Sequence, residues 1–216
     1  MCRLFLLLLF TSSPLLTLPT ATAKLELEAG VIRQAIQYGQ QFDSQQAVIQ
    51  QLGRLGYHKT IDFLVGHADV FLITDFVRVA AHSAGVQRYG GTLGAHTFQE
   101  KLQGKLDVVV FINAGHGYYF AEPIISIEHA DGRLSPESVT KMKVYSNCDV
   151  REPVLYLNWT DLCKAINGVS SAWEEGGAWL FSFSLPEEYW NSKIKLVWGK
   201  DSGKAAKKEF DLSKLH

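Results

Sequence analysis

The hydrophobic period of this chain changes once, and that change constrains the fold more than any other feature. Up to about residue 104, apart from two short extended runs, apolar residues recur every three or four positions, as on helices; from residue 106 they alternate, as on strands. The helical stretch around which the rest of the chain is organised is residues 74–90, TDFVRVAAHSAGVQRYG. Phe76, Val79, Ala80, Ser83 and Ala84 share one face at helical spacing, while Arg78, His82 and Tyr89 fall on the opposite side. Thr74 or Asp75 is placed to cap the start, and Gly90-Gly91 to stop the helix. Alanines at 80, 81 and 84 let a neighbouring backbone approach closely, so this helix is expected to be the most buried one.

Before it, Leu27, Val31, Ala35 and Tyr38 mark an amphipathic helix over residues 25–42, and Ser44 caps a second one running to residue 51. Residues 57–66 and 69–73 read as extended segments joined by a turn at Gly66-His67, and residues 97–103 as a turn or two of helix. After residue 105, alternation over 106–112, 125–129, 140–144, 154–159, 179–185 and 194–198, with a last strand around Phe210, describes six or seven short antiparallel strands. That number suits a β-sandwich of immunoglobulin-like size. The expected fold is therefore α+β, with N-terminal helices packed on a C-terminal antiparallel immunoglobulin-like β-sandwich. The helices before residue 60 carry apolar stripes too narrow to close a core alone, and a strand apolar on both faces needs a cover. Residues 24–216 are thus expected to form a single unit, mainly helical over 24–104 and a sandwich over 105–216, bridged by Phe76 and Val79.

Arg3, the apolar run at 4–10 and the small residues Ala21-Thr22-Ala23 have the layout of a secretory signal peptide covering residues 1–23. Its apolar run is broken by Pro14 and Pro19 and falls short of the ~20 residues that a spanning helix needs, so no membrane span is expected after cleavage. A periplasmic or secreted protein follows. The net charge of −1 gives no case for nucleic acid. Without the signal two cysteines remain, Cys148 and Cys163; an oxidising compartment favours a disulfide bond, two buried thiols being the alternative. Closing that loop of about 15 residues would contribute roughly 3 kcal/mol.

The order of elements carries a resemblance. A helix ending in Tyr38-Gly39, an apolar strand, Thr74-x-Phe76-x-Arg78-Val79-Ala80 opening a helix with Asp75 in place of a proline, then strands containing Phe181-Ser182-Phe183 and Phe210-Asp211-Leu212, resembles exported bacterial domains of unknown function. The resemblance implies bacterial export and supplies no activity or site.

Several constellations bear on chemistry. His67-Ala68-Asp69 and His129-Ala130-Asp131 each put an imidazole and a carboxylate on one strand face, and the two pairs together would complete a metal site. Each pair also suits a loop bonding its own turn. The glycine-flanked stretch 113–120, NAGHGYYF, presents His116 and Tyr118 as candidate catalytic residues. Arg78 and His82, one helical turn apart, suit either an anion site or anchorage of the helix to a carboxylate or carbonyl; anchorage is the reading preferred here. The chain has no G-x-S-x-G, H-E-x-x-H or phosphate-loop pattern, and no cofactor is expected. The functional expectation is an exported, non-enzymatic binding or structural module whose partner is a protein or an envelope component. The alternative is an extracytoplasmic hydrolase centred on His116.

Overall fold

The computed structural model describes residues 21–63, 66–88, 104–114, 123–130, 132–142, 144–145, 149–150, 159–167, 177–199 and 206–214. The first helix, α1 (Ala21–Gly39), is followed by α2 (Gln45–Leu52), whose start Ser44 caps by accepting the Ala47 N–H at 3.2 Å. A five-residue π-type turn, Gly53–Tyr57, then leads into β1 (His58–Phe63) and β2 (Gly66–Ile73). Gly66 and His67 already belong to β2, opposite Phe63 and Asp62, so the reversal lies upstream of the turn expected at Gly66-His67.

Helix α3 (Asp75–Arg88) begins at Thr74, whose hydroxyl accepts the Val77 N–H. Most of its middle is buried: Val77, Arg78, Val79, Ala80, Ala81, Ser83 and Ala84 are all buried, and Phe76 is half-buried against the core. Small residues make this possible. A Cβ on Gly39 would sit 2.0 Å from the Ala80 carbonyl oxygen, so α1 crosses α3 with its backbone almost in contact. The Ser83 hydroxyl donates to the Ile36 carbonyl at 3.1 Å in the same crossing.

Strands β3 (Lys105–Ala114), β4 (Ile125–His129), β5 (Gly132–Leu134) and β6 (Ser138–Met142) precede a short ribbon of β7 (Val144–Tyr145) and β8 (Asp149–Val150). Helix α4 (Trp159–Asn167) occupies ground that the alternation had extended to Trp159 as strand. Then come β9 (Gly177–Ser184), β10 (Lys193–Trp198) and β11 (Ala206–Asp211). All pairings among the described residues are antiparallel. The larger sheet has the order β1-β2-β3-β9-β6 and the second the order β11-β10-β4-β5, so the fold is α+β. The larger sheet takes its first two strands from the part of the chain expected to be mainly helical.

Every residue from 68 to 73 in β2 and from 106 to 112 in β3 is buried, so both faces of these strands are covered. The apolar cluster that contains them also contains Ile36, Val48 and Ala80 from the helices and Ile127, Leu196 and Phe210 from the second sheet. At the seam between the sheets, Lys59 of β1 donates to the Glu209 carbonyl of β11 and lies 5.1 Å from the centre of the Phe210 ring. No helix among the described residues is long and apolar enough to cross a membrane.

Candidate functional site

The site is assembled by the turn that joins α2 to β1. Gly56 adopts φ 109°, a conformation glycine accepts at little cost, and this swings the chain from helix into strand within two residues. Tyr57 is thereby buried, while Arg54 and Leu55 face outward. Burial drives the Tyr57 hydroxyl strongly upward, partly opposed by its hydrogen bond with Thr74.

The β1–β2 register then sets Thr60 opposite Asp69, with His58 opposite Phe71 and Asp62 opposite His67. Side chains two apart share a face, so His58, Thr60, His67 and Asp69 converge there. Asp69 Oδ1 accepts from His58 Nε2 at 2.9 Å and from the Thr60 hydroxyl at 2.8 Å, and Oδ2 lies 3.5 Å from His67 Nε2. Because an ionised carboxylate can only accept, the proton of the first contact sits on His58 Nε2. The Asp69 side chain is 8% exposed against 27% for His58 and 40% for His67, so the carboxylate forms the inner end of the cluster. Burial by itself raises the Asp69 carboxyl; hydrogen bonds from His58 and Thr60 and the neighbouring imidazoles outweigh it and hold the group below its ordinary value.

His58 also faces a cavity of about 310 Å³ lined by Ile49 and Gln50 of α2, Gly53 and Arg54 of the turn, Phe71 of β2 and Ala165 of α4. One wall is apolar. Gln50, Arg54 and His58 supply polar groups, and Arg54 has no ion-pair partner among the described residues.

A second polar cluster lies at the start of α3. Arg78 bonds Asp75 at 2.9 Å, the Lys105 carbonyl at 3.4 Å and, through its other terminal nitrogen, the Asp107 carboxylate on β3. Arg78 and Asp107 are both buried, and Asp75 also accepts the Gly104 N–H at 2.9 Å. Desolvation raises the Asp75 carboxyl; Arg78 and the Gly104 N–H only partly offset it, and the Asp107 charge adds to it. The arginine thus anchors helix to sheet, as preferred from the sequence. Its position is buried, not on an outward face opposite the apolar stripe.

Among the described residues the structure unites one of the two His-Ala-Asp pairs. His67 and Asp69 meet, joined by His58, a residue the sequence reading passed over. His129 lies in the second sheet, its ring stacked on Tyr189 at 4.0 Å, and Asp131 is outside the described residues. Among the described residues no group of three or more His, Cys, Asp or Glu side chains is arranged to hold a metal ion. His116, Tyr118 and Cys148 lie outside the described residues. Cys163 is buried on α4. Compared with known proteins, the chain matches no family model, no curated protein and no solved structure.

Proposed function

We propose that this chain is an exported, non-enzymatic binding module of the cell envelope, with the cavity beside His58 as its binding site. The observation that carries the reading is the convergence of Gln50, Arg54 and His58 from a helix, a turn and a strand on one cavity of about 310 Å³. A few convergent polar groups in a concave site are what orients a small ligand in its pocket. Equilibrium dialysis of the full chain against a low-molecular-weight envelope extract, with mass spectrometry of what is retained, tests it. A compound held by the native chain and lost from a folded His58→Ala protein supports the site; equal retention by both places binding elsewhere, and no retention removes the reading.

Export rests on the layout of residues 1–23 and on the resemblance to exported bacterial domains. Recovery outside the cytoplasm of a chain beginning at Lys24 tests it. The finer reading of the β-rich part as an immunoglobulin-like sandwich draws support from two antiparallel sheets contributing to one core. Cys148 is the proposed disulfide partner of Cys163, to be checked by peptide mapping with and without reductant. A second reading, an extracytoplasmic hydrolase, is favoured by a carboxylate-held imidazole at a cavity wall, the arrangement of a general base, but centred on His58 instead of His116. Under that reading the retained compound would be recovered as a cleavage product.

A further inference from the structure

Resting on the reading of the His58 cavity as a binding site, we propose that Asp69 is its positioning residue and that ligand binding there is coupled to a proton on His58 Nδ1. Asp69 holds the ring by Nε2 in both protonation states, which leaves Nδ1 to gain and lose the proton. The two nitrogens stand in different surroundings. Nε2 lies 2.9 Å from Asp69 Oδ1 and is engaged there. Among the described residues Nδ1 has no hydrogen-bond partner, and the ring that carries it lines the cavity. A ligand that meets this imidazole through a nitrogen therefore has Nδ1 to meet.

The carboxylate decides which nitrogen keeps its proton. Burial raises the Asp69 carboxyl, but hydrogen bonds from His58 and Thr60 and the two imidazoles outweigh it, so Asp69 stays an ionised acceptor. A neutral ring protonated at Nδ1 would set the Nε2 lone pair against a carboxylate oxygen at 2.9 Å; protonated at Nε2, it makes a charge-assisted hydrogen bond of the same contact. An imidazolium carries a proton on both nitrogens and keeps that bond as well. Nε2–H is thus common to both states, and Nδ1 is an acceptor in the neutral ring and a donor in the charged one. Asp69 is itself fixed, since the Thr60 hydroxyl donates to the same oxygen at 2.8 Å and the side chain is 8% exposed. His67 comes only within 3.5 Å of Oδ2, so it is attracted without being hydrogen-bonded. Among the described residues the ionisable groups facing His58 are Asp69 and His67 of β2 and Arg54 of the turn, while Ile49 and Gln50 of α2 and Ala165 of α4 carry no charge. Strand β11 meets β1 at Lys59, on the other face of the strand. The cavity wall therefore reverses its hydrogen-bonding sense when His58 titrates.

Long-range proton–nitrogen correlation NMR of the imidazoles in the full chain, recorded from about pH 5 to 8 and assigned with His58→Gln, tests where the proton sits. The neutral His58 ring is expected to be protonated at Nε2, with most of the pH-dependent change in nitrogen shift at Nδ1. Asp69→Asn, which removes the acceptor-only partner, should lose this selectivity and give a mixed or Nδ1-protonated ring. Thr60→Val leaves the carboxylate in place and should keep it. A packing role for Asp69 would not move a proton between nitrogens. A neutral native ring protonated at Nδ1 overturns the proposal whether or not Asp69→Asn folds, as does an unchanged pattern in folded Asp69→Asn. The dialysis against envelope extract is then repeated at one pH on each side of the His58 midpoint read from these spectra. Affinity for the compound lost in His58→Ala is expected to change at least about fivefold, the low end of ordinary coupling between two binding events. It falls in acid for a ligand that donates to Nδ1 and rises for one that accepts from it. Retention independent of pH overturns the coupling and leaves the binding module standing, whereas no retention at either pH removes both.

Discussion

Replacing Arg78 by methionine removes a cation shared by two carboxylates that the fold places at the junction of α3 and β3. The Arg78 and Asp107 side chains are 7% and 10% exposed and Asp75 is 26% exposed, so water does little to compensate either acid. Breaking a buried pair from one side leaves an uncompensated charge and costs about 3–5 kcal/mol. A domain's whole stability is about 5–15 kcal/mol, so the loss should be plain in urea unfolding. The double change Arg78→Met with Asp107→Leu removes both charges together and should recover at least about 2 kcal/mol, since apolar replacement of a whole buried pair is often neutral or stabilising. The transition should be followed by far-ultraviolet circular dichroism and by tryptophan fluorescence, because all five tryptophans lie after residue 158 whereas α1–α3 end at Arg88. If Arg78 ties helix to sheet, the two signals shift together in the single variant. A loss under about 1 kcal/mol, or a double variant no more stable than the single one, would refute the argument.

Other changes probe other parts of the packing. Gly39→Ala drives a methyl into the Ala80 carbonyl and should cost about 2 kcal/mol or more, whereas Gly30→Ala in the same helix meets nothing within 4 Å and should stabilise by about 0.5–1 kcal/mol; thermal melts of both check the contrast. Phe71→Ala, at a fully buried position, should cost about 3–5 kcal/mol in urea unfolding, and half-buried Phe76→Ala distinctly less; equal losses would contradict the burial. The Asp69 carboxyl is held below its unfolded value, so its contribution is present above about pH 4 and is lost as pH falls through the lower folded value. Asp69→Asn should therefore destabilise the protein at neutral pH, with the difference from the native chain narrowing in acid; a difference that widens toward low pH would reverse the sign of this reasoning.

Half of the candidate site was legible in the chain. The i, i+2 spacing of His67 and Asp69 put both on one strand face, and the structure brings them within 3.5 Å. His58, which makes the shorter contact, was hidden because its partner is eleven residues away and the pair forms only under one hairpin register. With the reversal expected at Gly66-His67, that register could not be read. Had Thr60 been set opposite Asp69, alternation alone would have placed His58 and His67 on either side of the carboxylate.

Local pattern determined much of the architecture. The apolar stripe of residues 76–84, the Ser44 cap, the two-sided apolar run at 106–112 and the alternation at 179–185 are each written in neighbouring residues, whose side-chain directions follow from helix and strand periods. Tertiary structure alone decided what those faces meet. Strands β1 and β2 joined the larger sheet beside β3, although a chain of short runs does not encode which edges pair across 40 residues. Arg78 became buried where helical spacing set it outside, because Asp107, 29 residues on, supplies the charge that makes burial tolerable. The cavity beside His58 likewise draws on α2, the turn, both hairpin strands and α4, and exists only once loop closure has brought them together. Periods and caps act over a few residues and are read locally; pairing, charge compensation and cavities depend on which distant segments the folded chain sets side by side.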